Sequence, residues 1–137
     1  MDVEGTVMQR NTIQRKAIRD VITEADRPLS PQEVLDEARQ TVPGIGIATV
    51  YRTVRTLMNE GWLSPVDLPG EPTRYECAGK EHHHHFHCKG CDKVFEVEGC
   101  FGDMQPLLNN GFIEHYHEVF IYGLCSDCQT TGIRIGR

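Results

Sequence analysis

Two pairs of cysteines constrain the fold of this 137-residue chain more than any other feature. Cys88 and Cys91 form one Cys-x-x-Cys motif, Cys125 and Cys128 form a second, and 33 residues separate the two motifs. Four thiolates are the ligand set of a tetrahedral structural zinc site. Gly90 is expected to give the first motif the backbone freedom of a tight turn. Disulfides or redox-active motifs are the alternatives, and intracellular disulfides are rare. The cysteines therefore predict a metal clamp within the second part of the chain.

Composition excludes several classes of protein. Hydrophobic residues make up 39% of the chain, and no stretch approaches the roughly 20 apolar residues of a membrane helix. The first ten residues contain no apolar signal core, so we expect a cytoplasmic protein without a membrane partner. A net charge of −6 argues against a protein that coats nucleic acid through bulk charge, but it allows a local basic face.

The first part of the chain has helical periodicity. An apolar stripe predicts the first helix, and Ser30-Pro31 with Glu33 has the pattern of a capped helix start. A third helix is predicted from Ala48 to Asn59, with Gly61 closing it. The apolar stripe of the first helix consists of Ile13, Ala17, Ile18, Val21 and Ile22.

Short strands are predicted after the third helix. Trp62-Leu63 and Arg74–Glu76 flank a turn-rich loop, so three helices precede a hairpin, which is the order of a winged helix-turn-helix. Further strands are predicted at Val94–Val97 and Val119–Tyr122, with a short helix near Asp103–Asn109. The predicted fold class is α+β: a DNA-binding winged helix over residues 1–77, a hinge at 78–81, and a small α/β metal-binding dimerisation domain over 82–137.

The third helix has a polar face suited to the major groove. Arginine pairs with guanine edges, and threonine and tyrosine contact thymine methyls. An ordinary solvated helix face is the alternative, and residues 1–76 carry nine Lys and Arg against twelve Asp and Glu. Affinity must then come from a local, salt-sensitive patch. The predicted DNA-binding residues are Arg15, Thr49, Tyr51, Arg52, Thr53 and Arg55.

Four consecutive histidines precede the first cysteine motif. Side chains alternate along an extended segment, so His82 and His84 are expected on one side, with His83 and His85 on the other. One segment can therefore serve two metal sites, or it can be a solvated loop. Zn²⁺ suits such imidazole sets best, with Fe²⁺ or Mn²⁺ also possible.

The motifs, taken in order, resemble those of the ferric uptake regulator family of bacterial metal-responsive repressors. They are Ile47-Ala48-Thr49-Val50-Tyr51-Arg52, His82–His85, Cys88-x-x-Cys91 with Lys93-Val94, and Ile121-Tyr122-Gly123-x-Cys125-x-x-Cys128. The resemblance implies a homodimer that binds palindromic operator DNA when a regulatory metal is bound.

The resemblance also implies three metal sites. The structural zinc falls on the four paired cysteines. The dimerisation-domain site falls on His82, His84, Asp103 and His117. The hinge site falls on Cys77, His83, His85 and an aspartate, for which Asp67 is the candidate after Gly61, although family spacing places that ligand near Ser64.

Cysteine at position 77 resembles the zinc uptake regulators of the family. Iron and peroxide sensors take a hinge histidine from the loop before the second helix, and this loop reads Asp26-Arg27-Pro28-Leu29-Ser30. We therefore expect a zinc-responsive repressor rather than an enzyme. The alternatives are an iron or peroxide sensor, a zinc metalloenzyme with Glu81 or Glu118 as base, and a metal-storage protein. Cys100 matches no ligand position of the family and is interpreted as a free thiol.

Overall fold

The computed structural model describes residues 3–130, with side chains from residue 9 onward. The chain divides into two compact units, and the boundary lies between Gly79 and Lys80. This boundary falls inside the segment 78–81 that the sequence marks as a hinge. Each unit is described separately below.

Three helices and a hairpin build the N-terminal unit, as the sequence predicts for a winged helix. The helices are α1 (Val3–Ala25), α2 (Pro31–Thr41) and α3 (Ile47–Asn59). Strands β1 (Leu63–Val66) and β2 (Arg74–Cys77) then pair antiparallel.

A short bridge attaches this hairpin to the helices. Leu29, just before α2, exchanges two backbone hydrogen bonds with Tyr75 of β2, at 2.9 and 2.8 Å. The loop between α1 and α2 therefore acts as a third strand at the hairpin edge, which holds the hairpin beside α2.

The core of the N-terminal unit is apolar and continuous. Ile13 departs from the predicted stripe, because its side chain is 56% exposed and lies outside the core. A helix turns about 100° per residue, so Ile13 lies on the same side of α1 as Ala17. Among the described side chains of α1, however, the buried ones begin only at Ala17. The fully buried core side chains include Ile18, Ile22, Leu29, Val34, Ala38, Ile45, Val50, Val54 and Leu57.

The start of α2 has the predicted capping box. The Ser30 hydroxyl accepts a hydrogen bond from the Glu33 N–H at 3.2 Å, and the Glu33 carboxylate accepts one from the Ser30 N–H at 3.1 Å. Two N–H groups that lack helical partners are thereby satisfied.

A three-stranded sheet forms the C-terminal unit. Its strands are β3 (His83–Cys88), β4 (Val94–Glu98) and β5 (Phe120–Gly123), and α4 (Ser126–Thr130) follows. Strand β3 is central: it pairs antiparallel with β4 and parallel with β5.

Two details of this unit differ from the sequence expectation. The helix predicted near Asp103–Asn109 is a single 3-10 turn, Gln105–Leu107, because Pro106 and the following Asn109-Asn110-Gly111 do not continue a helix. The last strand begins at Phe120 rather than Val119, a difference of one residue.

The C-terminal unit buries very little apolar surface. Within residues 80–130, the buried hydrophobic side chains are Cys88, Val94 and Cys128, and two of these three are paired cysteines. Small units with so little core need disulfides, metals or association to be stable. Large apolar side chains of the same unit are instead exposed: Phe101, Leu107, Phe112, Ile113, Tyr116, Ile121 and Tyr122.

Within residues 3–130, none of the helices combines the length and apolar character needed to cross a membrane.

Replacing the capping serine should weaken the N-terminal unit. We expect Ser30→Ala to lower its free energy of unfolding by about 1 kcal/mol, because the hydrogen bond from the Glu33 N–H to the Ser30 hydroxyl is lost, while the backbone N–H of residue 30 can still donate to Glu33. Gln40→Ala, on the exposed end of the same helix, is the matched control and should change stability by less than about 0.5 kcal/mol. Denaturation followed by far-ultraviolet circular dichroism, which reports mainly the N-terminal helices, measures both, and equal values for the two variants would contradict the role of the cap.

Candidate metal centres and nucleic-acid interface

The four paired cysteines converge on one point in the C-terminal unit. Their sulfur atoms all lie within 4.8 Å of one another, and the Sγ atoms of Cys91 and Cys125 are 3.9 Å apart. A tetrahedral ion with four Zn–S bonds of about 2.3 Å requires sulfur–sulfur edges of about 3.8 Å. The spacing thus fits a tetrahedral metal, and it is too long for disulfide bonds, which hold sulfurs about 2.05 Å apart.

Backbone amides prepare this cluster for a cation. Burial raises the pKa of the Cys88 thiol, but N–H groups of Cys125, Cys91 and Gly90 point at its sulfur and lower that pKa to about 6 overall. Burial, followed by the neighbouring sulfurs, raises the pKa of Cys128 to about 12. One of the four thiols therefore ionises easily, whereas burial and the neighbouring sulfurs oppose further ionisation. A bound cation would allow all four thiols to ionise.

The turn in the first cysteine motif uses a different residue from the one predicted. Gly90 is not among the left-handed residues of the described chain, whereas Asp92 has φ of 65°. Aspartate tolerates this conformation better than most residues. Its carboxylate also lies 2.6 Å from Nε2 of the buried His87, so Asp92 fastens the turn to β3.

The four consecutive histidines, three of them in β3 and His82 just before it, form two groups, one on each side of the extended segment. The rings of His83 and His85 have centroids 4.8 Å apart, and those of His82 and His84 are 4.6 Å apart. This is the alternation predicted for an extended segment. Each side of one strand therefore carries its own imidazole pair.

The pair formed by His82 and His84 belongs to a larger cluster. Potential ligand atoms of His82, His84, His117 and Cys100 all lie within 4.8 Å of one another. The Nε2 atoms of His82 and His117 are 3.3 Å apart, which matches the edge of about 3.3 Å set by two Zn–N bonds of about 2.0–2.1 Å. Cys100, which the sequence analysis interprets as a free thiol, is the fourth member of this cluster.

A carboxylate orients one member of this cluster. Glu114 contacts Nδ1 of His117 and also accepts a hydrogen bond from the Met104 N–H at 2.7 Å. Hydrogen bonding to Glu114, and then to Cys100, raises the pKa of His117. Carboxylates commonly hold metal-binding histidines in this way, with the other ring nitrogen directed at the ion. The Glu-x-x-His spacing was the sequence signal for this contact.

Asp103, the expected fourth ligand of this site, has another partner. Its Oδ1 accepts a hydrogen bond from the Gln105 N–H at 3.0 Å and so begins the 3-10 turn. Asp103 lines a cavity of about 460 Å³ together with His82, Cys100 and His117, but it is not one of the four clustered groups.

The proposed hinge residues of the N-terminal unit lie at opposite ends of the hairpin. Cys77 pairs with Leu63, whereas Asp67 follows Val66, which pairs with Arg74. Three residues of strand separate these ends by about 10 Å. Asp67 instead accepts a hydrogen bond from the Thr73 hydroxyl at 2.6 Å and closes the hairpin loop. The structure therefore does not bring Asp67 to Cys77, and it places Ser64 opposite Glu76.

The polar face of α3 is exposed and borders a groove. Val50, Val54 and Leu57 are buried, which turns the opposite side of the helix to solvent. Tyr51, Arg52 and Arg55 are exposed at this side. A cavity of about 340 Å³ separates the face from α1, and its lining includes Asn11, Gln14, Arg15, Thr49, Arg52, Thr53 and Thr56.

Arg15 is held by an acidic residue at the end of this face. Its guanidinium forms an ion pair with Glu60, which follows α3. Both side chains are about 40% exposed, and such surface pairs contribute little to stability. A phosphate can therefore replace Glu60 as the partner of Arg15.

An exposed polar helix in one unit and clustered thiols and imidazoles in the other are typical of metal-binding transcriptional regulators. The comparisons with known proteins agree with this class. Residues 7–122 match the model of the ferric uptake regulator family. The chain belongs to this family of metal-responsive transcriptional regulators, as its motifs predict, rather than to a family of enzymes.

Relatives of the chain come from more than one branch of the family. It is 31% identical over 129 residues to the ferric uptake regulation protein of Campylobacter jejuni, covering 90% of this chain and 82% of that protein. It is 32% identical over 128 residues to the zinc uptake regulation protein of Mycobacterium tuberculosis, covering 88% and 95%.

Solved structures also resemble this chain. The Helicobacter pylori ferric uptake regulator, described as having three functional metal-binding sites, has a TM-score of 0.62 and 28% identity, covering 85% of this chain and 79% of that one. A zinc-bound manganese uptake regulator has a TM-score of 0.70 and 25% identity, covering 82% and 87%.

Loss of one paired cysteine should remove a tightly held metal ion. We expect the purified chain to retain one divalent ion per chain against a weak chelator, and Cys125→Ser to lose it, because three ligands no longer complete the tetrahedron. Cys77→Ser, in the other unit, is the control and should retain the ion. Elemental analysis after dialysis measures both, and full retention by Cys125→Ser would rule out the four-thiolate site.

Proposed function

We propose that the chain is a zinc-responsive transcriptional repressor that binds palindromic operator DNA as a homodimer. The observation that carries this proposal is that one unit has a helix, α3, with an exposed polar face, and the other unit has clustered thiol and imidazole groups. The four-thiolate cluster supplies a structural zinc, and separate histidine sites supply regulation.

The regulatory hinge site is proposed on Cys77, His83 and His85. Cys77 ends β2 and His83 begins β3, and the unit boundary lies two residues beyond Cys77 and three residues before His83. A metal bound by these residues would join the two units. A metal that binds more tightly to the arrangement of the units that can bind DNA would shift the protein toward that arrangement. A 100-fold difference in metal affinity between the two arrangements corresponds to about 2.7 kcal/mol of coupling. Asp67 is left out of this proposed ligand set, because it lies at the other end of the hairpin from Cys77.

The thiol of Cys77 is the argument for zinc. Thiolate ligands favour Zn²⁺ over Fe²⁺ and Mn²⁺, which prefer oxygen-rich sites. The likeness to a zinc uptake regulation protein supports the same assignment, while the likeness to ferric uptake regulation proteins keeps iron as the metal that the experiment must exclude.

The exposed apolar residues of the C-terminal unit support a homodimer. Phe101, Phe112, Ile113 and Tyr116 are each more than half exposed, an unusual number of large apolar side chains for a small unit. Large exposed apolar surfaces commonly mark an interface, and we assign these side chains to one. A second copy of this chain would cover it, and a two-fold axis would space two α3 helices for a palindrome.

Binding to an AT-rich palindromic operator should tighten with zinc. In titrations of buffered free Zn²⁺, Fe²⁺ and Mn²⁺ at fixed salt, we expect Zn²⁺ to act at the lowest free concentration. Cys77→Ser should abolish this response without reducing basal DNA affinity, because it removes the soft ligand from the hinge site. Tightening by Fe²⁺ or Mn²⁺ at lower free concentrations than Zn²⁺ would assign the chain to the iron or peroxide branch.

Removal of one arginine should identify the DNA-binding face. We expect Arg52→Ala to weaken operator binding and to reduce the slope of log K against log salt by about one, because one phosphate contact is lost. Lys93→Ala removes the same charge from the other unit and is the control. A fluorescence anisotropy titration at several salt concentrations separates the two variants, and equal losses would indicate bulk charge rather than a local interface.

A further inference from the structure

We infer that Cys100, rather than Asp103, is the fourth ligand of the metal site in the C-terminal unit, which makes that site a three-histidine, one-thiolate zinc site. This inference rests on the proposed metal-dependent function and specifies the chemistry of one of its sites. It also gives a role to a cysteine that the family motifs leave unassigned.

The register of the sheet places Cys100 beside the histidines. Glu98 at the end of β4 pairs with His83 at the start of β3, so the residues just after Glu98 lie next to His82. Gly99 and Gly102 have φ of 82° and 121°, conformations that other residues rarely adopt. These two glycines turn the chain on both sides of Cys100 and direct its thiol toward β3.

Direct contacts join Cys100 to the histidine cluster. Its sulfur lies 3.1 Å from Nε2 of His117, the ring nitrogen that Glu114 leaves facing the cluster. The sulfur is also 3.3 Å from the Gly102 carbonyl oxygen. Ligand atoms of all three histidines and Cys100 lie within 4.8 Å of one another.

A buried ring nitrogen of His84 also supports metal binding by this cluster. The His84 side chain is 4% exposed, and its Nε2 has no hydrogen-bond partner among the described residues. The other ring nitrogen, Nδ1, lies 3.2 Å from the Val119 N–H. A buried polar atom without a partner is unfavourable, and coordination to a metal at this position would satisfy it.

Asp103 is a poorer candidate for the same position. Its carboxylate is exposed and is engaged by the Gln105 N–H at the start of the 3-10 turn. Asp103 is not among the groups whose ligand atoms lie within 4.8 Å of one another, so its carboxylate would have to move to bind, whereas ligation by Cys100 uses the existing geometry. A thiolate with three imidazoles favours Zn²⁺, while a carboxylate in its place would favour harder ions.

Cobalt substitution tests the inference on the full chain. The four-thiolate site is kept filled with zinc, and Cys77→Ser removes the proposed hinge thiolate. Co²⁺ added to this protein should produce the visible absorption of a tetrahedral site together with a sulfur-to-cobalt charge-transfer band in the near ultraviolet. Adding Cys100→Ser should eliminate the charge-transfer band and weaken Co²⁺ binding by at least about ten-fold, since outer-shell changes alone cost about 10–100-fold.

Asp103→Asn in the same background is the matched control. It keeps an oxygen to accept the Gln105 N–H and should leave both the band and the affinity unchanged. Persistence of the band in the Cys100→Ser protein, or loss of Co²⁺ binding in the Asp103→Asn protein, would overturn the inference. Circular dichroism of each variant checks that the fold is retained.

Operator binding measured on the same proteins separates this inference from the proposed function. If the cobalt charge-transfer band depends on Cys100 but no metal changes the DNA affinity, the proposed regulatory function is refuted and the assignment of Cys100 as a ligand stands. Zinc-controlled DNA binding without that band would refute the ligand assignment alone.

Discussion

The convergence of four thiols in the C-terminal unit is the interaction on which that unit depends. The sheet has little apolar surface to bury: beyond Val94, its buried hydrophobic groups in residues 80–130 are themselves cysteines of the cluster. Cys88 ends β3 and Cys91 follows it, while Cys125 and Cys128 follow β5, so one ion would join two strands that are distant in sequence. Without that ion, the parallel pairing of β3 with β5 has to offset the entropy of closing a long connection with few apolar contacts.

The N-terminal unit has the opposite balance. Its helices and hairpin enclose a continuous apolar core, and its polar groups are largely at the surface. Stability there comes from packing and caps, which leaves the exposed side of α3 free for recognition. The first unit is therefore stable through its core, whereas the second unit has a cluster of four thiols where a larger apolar core would otherwise lie.

The sequence predicted those features that repeat or have fixed spacing. The cysteine motifs, the helix periodicity and the alternation of histidines along β3 are set by local geometry, and they appear as expected. The closeness of Cys100 to the histidines was not predicted. It depends on two left-handed glycines and on the register between β3 and β4, which cannot be read from the sequence. Asp103 and Asp67 have suitable chemistry, but local turn hydrogen bonds engage both. Short polar residues near a turn often serve the backbone first.

The histidines of β3 have a consequence for how this protein can change over generations. Because neighbouring positions on an extended segment face opposite sides, a substitution at His82 or His84 alters one pair of histidines and leaves His83 and His85 in place. Insertion or deletion of a single residue within the strand instead exchanges the two sets at once. A substitution in the histidine run would therefore disturb one pair, whereas a change in the length of the run would disturb both.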